Sequence, residues 1–119
     1  MFRGHRARGW NDLVWIAGLV LAGAPALAAA DLDRGKAIYQ DRCEICHGAG
    51  GRGDGPTGRV LPTRPSDYTS AAFWRGRKDA ELLDIIRQGK GLMPKWEGGL
   101  SDAEIRDVYA YIKSAFKPE

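Results

Sequence analysis

The chain has 119 residues, 18 Lys and Arg against 15 Asp and Glu, and 44% hydrophobic residues. That length gives one small domain with little apolar core of its own. Arg3, Arg6, Arg8 and Asp12 all fall in the first thirty residues, so residues 31–119 hold 15 basic and 14 acidic side chains. This balance leaves no electrostatic footprint for nucleic acid.

In chain order, the first thirty residues read as an export signal. Arg3, Arg6 and Arg8 form a positive start, Leu13 to Leu21 an apolar core, and Ala26-Leu27-Ala28 or Ala28-Ala29-Ala30 a small-residue cleavage site. The arginines are not adjacent, so a twin-arginine signal is not supported. An uncleaved membrane anchor is the rival reading, because Leu13 to Ala30 carries no charge. Pro25 and the alanine-rich end favour cleavage. The expected organisation is a cleavable secretory signal over 1–30 and one domain over 31–119, in the periplasm.

Asp31 or Asp33 caps a first helix running to about Arg42. Gly35 lies four residues before Tyr39 on one helical face. A glycine inside a helix costs about 1 kcal/mol relative to alanine, so it points to a close helix crossing; a loose helix start is the alternative. Next comes Cys43-Glu44-Ile45-Cys46-His47. Two cysteines two residues apart, followed at once by histidine, form the attachment site of a c-type haem. On one helical turn each thiol can form a thioether with a haem vinyl group, and His47 then points an imidazole nitrogen at the iron. A redox dithiol or half of a zinc site uses the same cysteine spacing. Against both, the chain has two cysteines, no histidine after His47, and no βαβ context. In an oxidising compartment a disulfide between the pair would close almost no loop entropy. A haem would supply much of the missing core.

From Gly48 to Lys78 runs a stretch rich in glycine, proline and arginine without periodicity. A loop this long implies a ligand to wrap, and its glycines permit tight turns beside a bulky ring. Pro56 can offer its carbonyl to the free nitrogen of His47. Leu61, Tyr68, Phe73 and Trp74 are candidates to cover the ring or to fill the core, and a short helix is expected around Ser70 to Arg75.

Asp79 caps a helix from Ala80 to about Gln88 that buries Leu82, Leu83, Ile85 and Ile86. Gly89 suits its stop, with Arg87 and Lys90 complementing the dipole. Gly91 to Trp96 is a loop stiffened by Pro94. Ser101 opens the last helix with a capping box to Glu104, Leu100 staples onto Ile105, and Ile105, Val108, Ile112 and Ala115 recur at helical spacing up to Pro118. No strand or repeat is legible, so the class is all-α.

Elimination identifies the sixth iron ligand. After removal of residues 1–30 no second histidine remains, both cysteines are used, and Met93 is the only methionine. A lysine ligand or an open site is the alternative. Thioether ligation raises the reduction potential and fills the coordination shell, which leaves one-electron transfer and no enzymatic step. Between Arg52 and Lys95 there are nine basic and five acidic residues, while the flanks from residue 31 carry six and nine. That polarity favours an acidic partner; a merely solvated face with arginines on the haem propionates is the alternative.

CEICHGAGGRGDGP, LPTRPSDY, LMPKW and LSDAEIRDVYAYIKS together resemble the class I bacterial cytochromes c, in particular the small domains related to those of cbb-type oxidases. The resemblance spans residues 31–117. It implies the class I fold: about three main helices wrapped around one covalent haem c, with long glycine- and proline-rich loops. It also implies that the Gly35/Tyr39 helix crosses the last helix near Val108 and Tyr111, and that Pro56 bonds His47. Arg64 or a neighbour would hold a propionate, and Trp96 would pack near the haem edge. The expected function is a monomeric periplasmic one-electron carrier with His47/Met93 ligation. Its partners would be a dehydrogenase or reductase as donor and an oxidase or reductase as acceptor, with the membrane met only through them. A haem subunit fixed to a periplasmic dehydrogenase or terminal oxidase, or a haem protein with a labile sixth site, are the alternatives.

Overall fold

The computed structural model describes Gly18 and residues 29–119, so nearly all of the expected export signal lies outside the described residues. The first helix begins as α1 (Leu32–Ile38), with the Asp31 carboxylate accepting from Arg34 N at 2.9 Å. It does not stop near Arg42 as the sequence suggests. It continues through a π-helical turn (Tyr39–Cys43) into α2 (Glu44–His47), and the N–H of Glu44 donates five residues back to Tyr39. The π turn follows from tertiary packing. Tyr39 is buried to 1% exposure, and its hydroxyl donates to the Gly48 carbonyl at 2.6 Å, which draws the helix end inward.

After a 3₁₀ turn (Gly58–Val60) come α3 (Ala71–Trp74), α4 (Asp79–Gln88) and α5 (Asp102–Phe116). The capping box between Ser101 and Glu104 is formed, at 2.9 and 3.1 Å. α1 crosses α5 at Gly35. A Cβ there would collide with the Asp107 carbonyl oxygen and meet the Tyr111 Cβ at 3.0 Å, so only glycine allows this approach. Ile105, Val108 and Ile112 are buried along α5, and burial of Ile105 or Val108 contributes about 1.5–3 kcal/mol each. Ala115 is exposed instead, because Phe116 turns back onto Tyr39, Tyr68 and Tyr111.

Asp79 is not the cap of α4. Lys78 holds that position without a side-chain bond, and the Asp79 carboxylate accepts from Tyr109 Oη at 2.6 Å and Lys113 Nζ at 2.9 Å. It therefore pins α4 to α5. Leu82 and Ile86 are buried, whereas Leu83 and Ile85 are half-buried. Two apolar clusters result: Leu82, Ile86, Leu100, Ile105 and Tyr109 in one, and Tyr39, Tyr68, Val108 and Ile112 in the other. Among the described residues there is no strand, only two isolated bridges, and no helix long and apolar enough to cross a membrane.

Candidate haem site

A cavity of about 600 Å³ opens between these two clusters, within the usual 300–1,000 Å³ of cofactor pockets. Cys43, Cys46 and His47 line it from the first helix, and Met93 and Trp96 from the loop after α4. Leu61, Arg64, Tyr68, Phe73 and Trp74 line it from the long loop, and Tyr109 and Ile112 from α5. Of the residues expected to hold the haem or its iron, Pro56 alone does not reach the cavity. It is exposed, and the Pro56–His47 bond is not made: buried His47 Nδ1 has no hydrogen-bond partner.

The glycine stretch also does something other than expected. No residue from Gly48 to Gly58 lines the cavity. Instead it wraps the Cys-His turn, whose last carbonyls need donors. Gly53 N donates to His47 O at 2.8 Å, Gly55 N to Cys46 O at 3.1 Å, and Thr57 N to Ile45 O at 3.0 Å. A Cβ at Gly58 would run into the Cys46 carbonyl oxygen, so the loop lies directly on the turn that carries the thiols. The cavity is reached only from Leu61 onward, by Leu61, Thr63, Arg64, Pro65, Ser66 and Tyr68.

His47 is buried and stacks on Tyr68, with ring centroids 4.8 Å apart and Tyr68 Oη 3.4 Å from Nε2. Burial lowers its pKa from the ordinary value, which favours the neutral imidazole whose nitrogen can donate a lone pair. Tyr68 is fixed at both backbone ends: its N–H donates to Gly51 O, and its carbonyl accepts from Trp74 Nε1, each at 2.8 Å. Burial pushes the Cys43 thiol up to about 12, the reverse of the lowered pKa that a redox dithiol needs. Among the described residues no set of three or more His, Cys, Asp or Glu could hold a metal ion.

Met93 sits at the end of a tight turn closed by Lys90 N to Met93 O at 3.1 Å and Met93 N to Lys90 O at 2.9 Å. Gly89 and Gly91, both at positive φ, allow that turn, and Trp96 N ties its far side to Ile86 O at 3.3 Å. The cavity lining carries four cations, Arg42, Arg64, Arg77 and Lys90, and no carboxylate among the described residues. Sequence reasoning picked out Arg64 for a propionate and counted Arg77 and Lys90 in the basic segment between Arg52 and Lys95, but it did not bring Arg42 to the site. Arg42 lies over the Trp96 ring at 5.8 Å, a contact between residues far apart in sequence, and Arg77 over Phe73, four residues before it, at 4.7 Å. Two thiols, a neutral imidazole, a thioether, apolar walls and a cationic lining fit a covalent haem with two propionates.

Residues 30–112 match the family described as cytochrome C oxidase, cbb3-type, subunit III. The FixP subunit of cbb3-type cytochrome c oxidase from Bradyrhizobium diazoefficiens is 32% identical over 107 residues, which is 87% of this chain but 35% of that protein. Cytochrome c6 from Synechocystis is 33% identical over 100 residues, 84% of this chain and 78% of the relative. The solved cytochrome c6 of the diatom Phaeodactylum tricornutum superposes with a TM-score of 0.58 at 28% identity, over 71% of this chain and 93% of that one. The all-α fold and the site define a class I c-type cytochrome, a haem c electron carrier. The chain belongs to the cbb3-type subunit III family of cytochromes c, and it spans about a third of the FixP subunit.

Proposed function

We propose that this chain is a monomeric periplasmic one-electron carrier, exported by a cleavable signal over 1–30. Residues 31–119 fold around one haem, attached through Cys43 and Cys46 and ligated by His47 and Met93. The supporting observation is the convergence of Met93 with Cys43, Cys46 and His47, from a distant part of the chain, on one apolar cavity. A haem bound there supplies a one-electron ferric/ferrous couple. The chain's own residues hold and shield it. Tyr68 lies against His47, Leu61, Phe73 and Trp74 exclude water, and Trp96 covers the edge from the Met93 loop. Arg64, with Arg77 and Lys90, is positioned to meet the propionates. With His47 and Met93 both holding the iron, no substrate would reach it, and the reading assigns electron transfer alone.

The cationic lining supports docking of an acidic redox protein, for which opposite charge speeds encounter. A second reading, a haem-bearing subunit of an oxidase or dehydrogenase, is favoured by the cbb3-type family match. Purification of the exported protein separates the two: a soluble monomer supports the carrier, and a stoichiometric complex supports the subunit. Acid–acetone extraction should leave the haem on the polypeptide, and release of free haem would sink the attachment through Cys43 and Cys46. Electron transfer to the acceptor should slow as salt rises, because the Debye length is only about 10 Å at 0.1 M. A rate flat in salt removes the charged docking face.

A further inference from the structure

Asp107 is a carboxylate 4% exposed at the α1–α5 crossing, and a buried carboxylate persists there only when paired and hydrogen-bonded. Arg34 Nε donates to its Oδ2, and the backbone N–H of Asp31 donates to its Oδ1 at 2.9 Å. Every polar group of Asp31 is engaged: its carbonyl accepts from Gly35 N at 2.9 Å and its carboxylate from Arg34 N at 2.9 Å. Chain ends usually fray unless tied down, and this residue is tied at three points. It also directly follows Ala28-Ala29-Ala30, one of the two small-residue cleavage patterns in the sequence.

We propose that the leader is cut between Ala30 and Asp31, and that the α-ammonium so freed becomes a charged partner of Asp107 beside Arg34. The proposal rests on the export reading above. Hydrolysis by a leader-cleaving protease adds one water across the Ala30–Asp31 amide, leaving a carboxylate on Ala30 and an ammonium on Asp31. The new charge enters a prepared setting. Asp107, the Asp31 carboxylate and Asp33 in the first turn of α1 offset the helix dipole, which otherwise opposes a cation at an N-terminus. Arg34 is a cation at the same carboxylate, and Glu104 also acts on it. The amide bond to the Asp107 carboxylate is already charge-assisted on the acceptor side, and an ammonium puts a full charge on the donor side as well. A cut after Ala28 would instead leave two exposed alanines ahead of α1 and keep the Asp31 nitrogen an uncharged amide.

Intact mass and N-terminal sequencing of the exported holoprotein test the cut. The expected product is residues 31–119 plus one haem; a chain starting at Ala29 or elsewhere overturns the proposal. A protein retained in the cell with its leader intact and no haem overturns the export reading instead. The pairing is tested by exchanging the leader to yield a holoprotein that starts at Ala29. The form starting at Asp31 should melt about 4–8 °C higher, the shift that about 1 kcal/mol produces in a domain of this size, and Asp107→Asn should close the gap. Equal melting, or a gap that survives Asp107→Asn, overturns the ion pair. Should Asp107→Asn fail to accumulate, NMR titration of the Asp31 α-amine decides. It should titrate above the ordinary range of about 7.7–8.0, and an ordinary value overturns the pairing.

Discussion

The two walls of the haem cavity are built by different means. The Cys-His wall is locked by backbone: Gly53, Gly55 and Thr57 donate to the carbonyls of His47, Cys46 and Ile45, and Gly58 presses on the same turn. One helix beyond, Gly35 lets α1 touch the backbone of α5. The ties of the Met93 wall are fewer: one tight turn, two bonds to the end of α4 (Trp96 N to Ile86 O and Glu97 N to Arg87 O), the close approach of Gly89 to the Met93 carbonyl, and side-chain packing, with Leu92 at its tip 64% exposed. The Cys-His wall is the more densely tied by backbone and the Met93 wall the less, so a backbone clash on the first side should disturb the fold more than a truncation on the second.

Mutations can break or sharpen this contrast. The largest effect is expected at the thiols: Cys43→Ala or Cys46→Ala should leave little folded protein, because the domain loses its largest apolar component, and yield of haem-loaded chain measures it. Gly35→Val should cost about 3 kcal/mol, the upper end of overpacking penalties, since the added atoms meet immovable backbone. Met93→Ala should cost less than the 2–5 kcal/mol or so typical of a fully buried methionine, because Met93 is half-buried. It should nonetheless lower the reduction potential and open the ferrous iron to carbon monoxide. If Gly35→Val proves as mild as Met93→Ala by thermal melting, the contrast between the walls fails. An unchanged potential in Met93→Ala places another group on the iron.

The smallest effect concerns the pin between α4 and α5. Hydrogen bonds from Tyr109 and then Lys113 hold the Asp79 carboxyl below its ordinary 3.8. A folded pKa that is depressed contributes stability above the unfolded value and loses it as pH falls through the folded one. Stability should therefore be flat above about pH 5 and decline below about pH 4. Asp79 is largely exposed, so the decline is at most about 1 kcal/mol. Asp79→Asn should remove that acid step while leaving the haem spectrum unchanged.

Much of this was readable from the chain because it is local. The Cys-x-x-Cys-His spacing, the Ser101/Glu104 box and the Ile105–Val108–Ile112 stripe each lie within a few residues, and each is formed. What failed depends on partners far along the chain. Asp79 is a good N-cap residue by type, yet Tyr109 and Lys113, 30 and 34 residues away, claim its carboxylate. The glycine loop reads as a wrapper for a flat ring, but the unsatisfied carbonyls of the helix end take its donors first. Arg42, Arg77 and Lys90 come to the cavity from separate elements, and no period in the sequence marks them.

The π turn at Tyr39–Cys43 has a rotational meaning. Successive residues of an α-helix are offset by about 100°, and a bond to the fifth residue back winds one residue more than the usual fourth. The extra residue therefore sets the angular phase between two faces of a single rod: Gly35 and Tyr39 turned toward α5, and Cys43, Cys46 and His47 turned toward the cavity. Deleting Gln40 would restore ordinary winding and leave both motifs chemically intact. It would also swing the thiols about 100° away from the cavity, so a chain with every ligand present would be unable to take its haem.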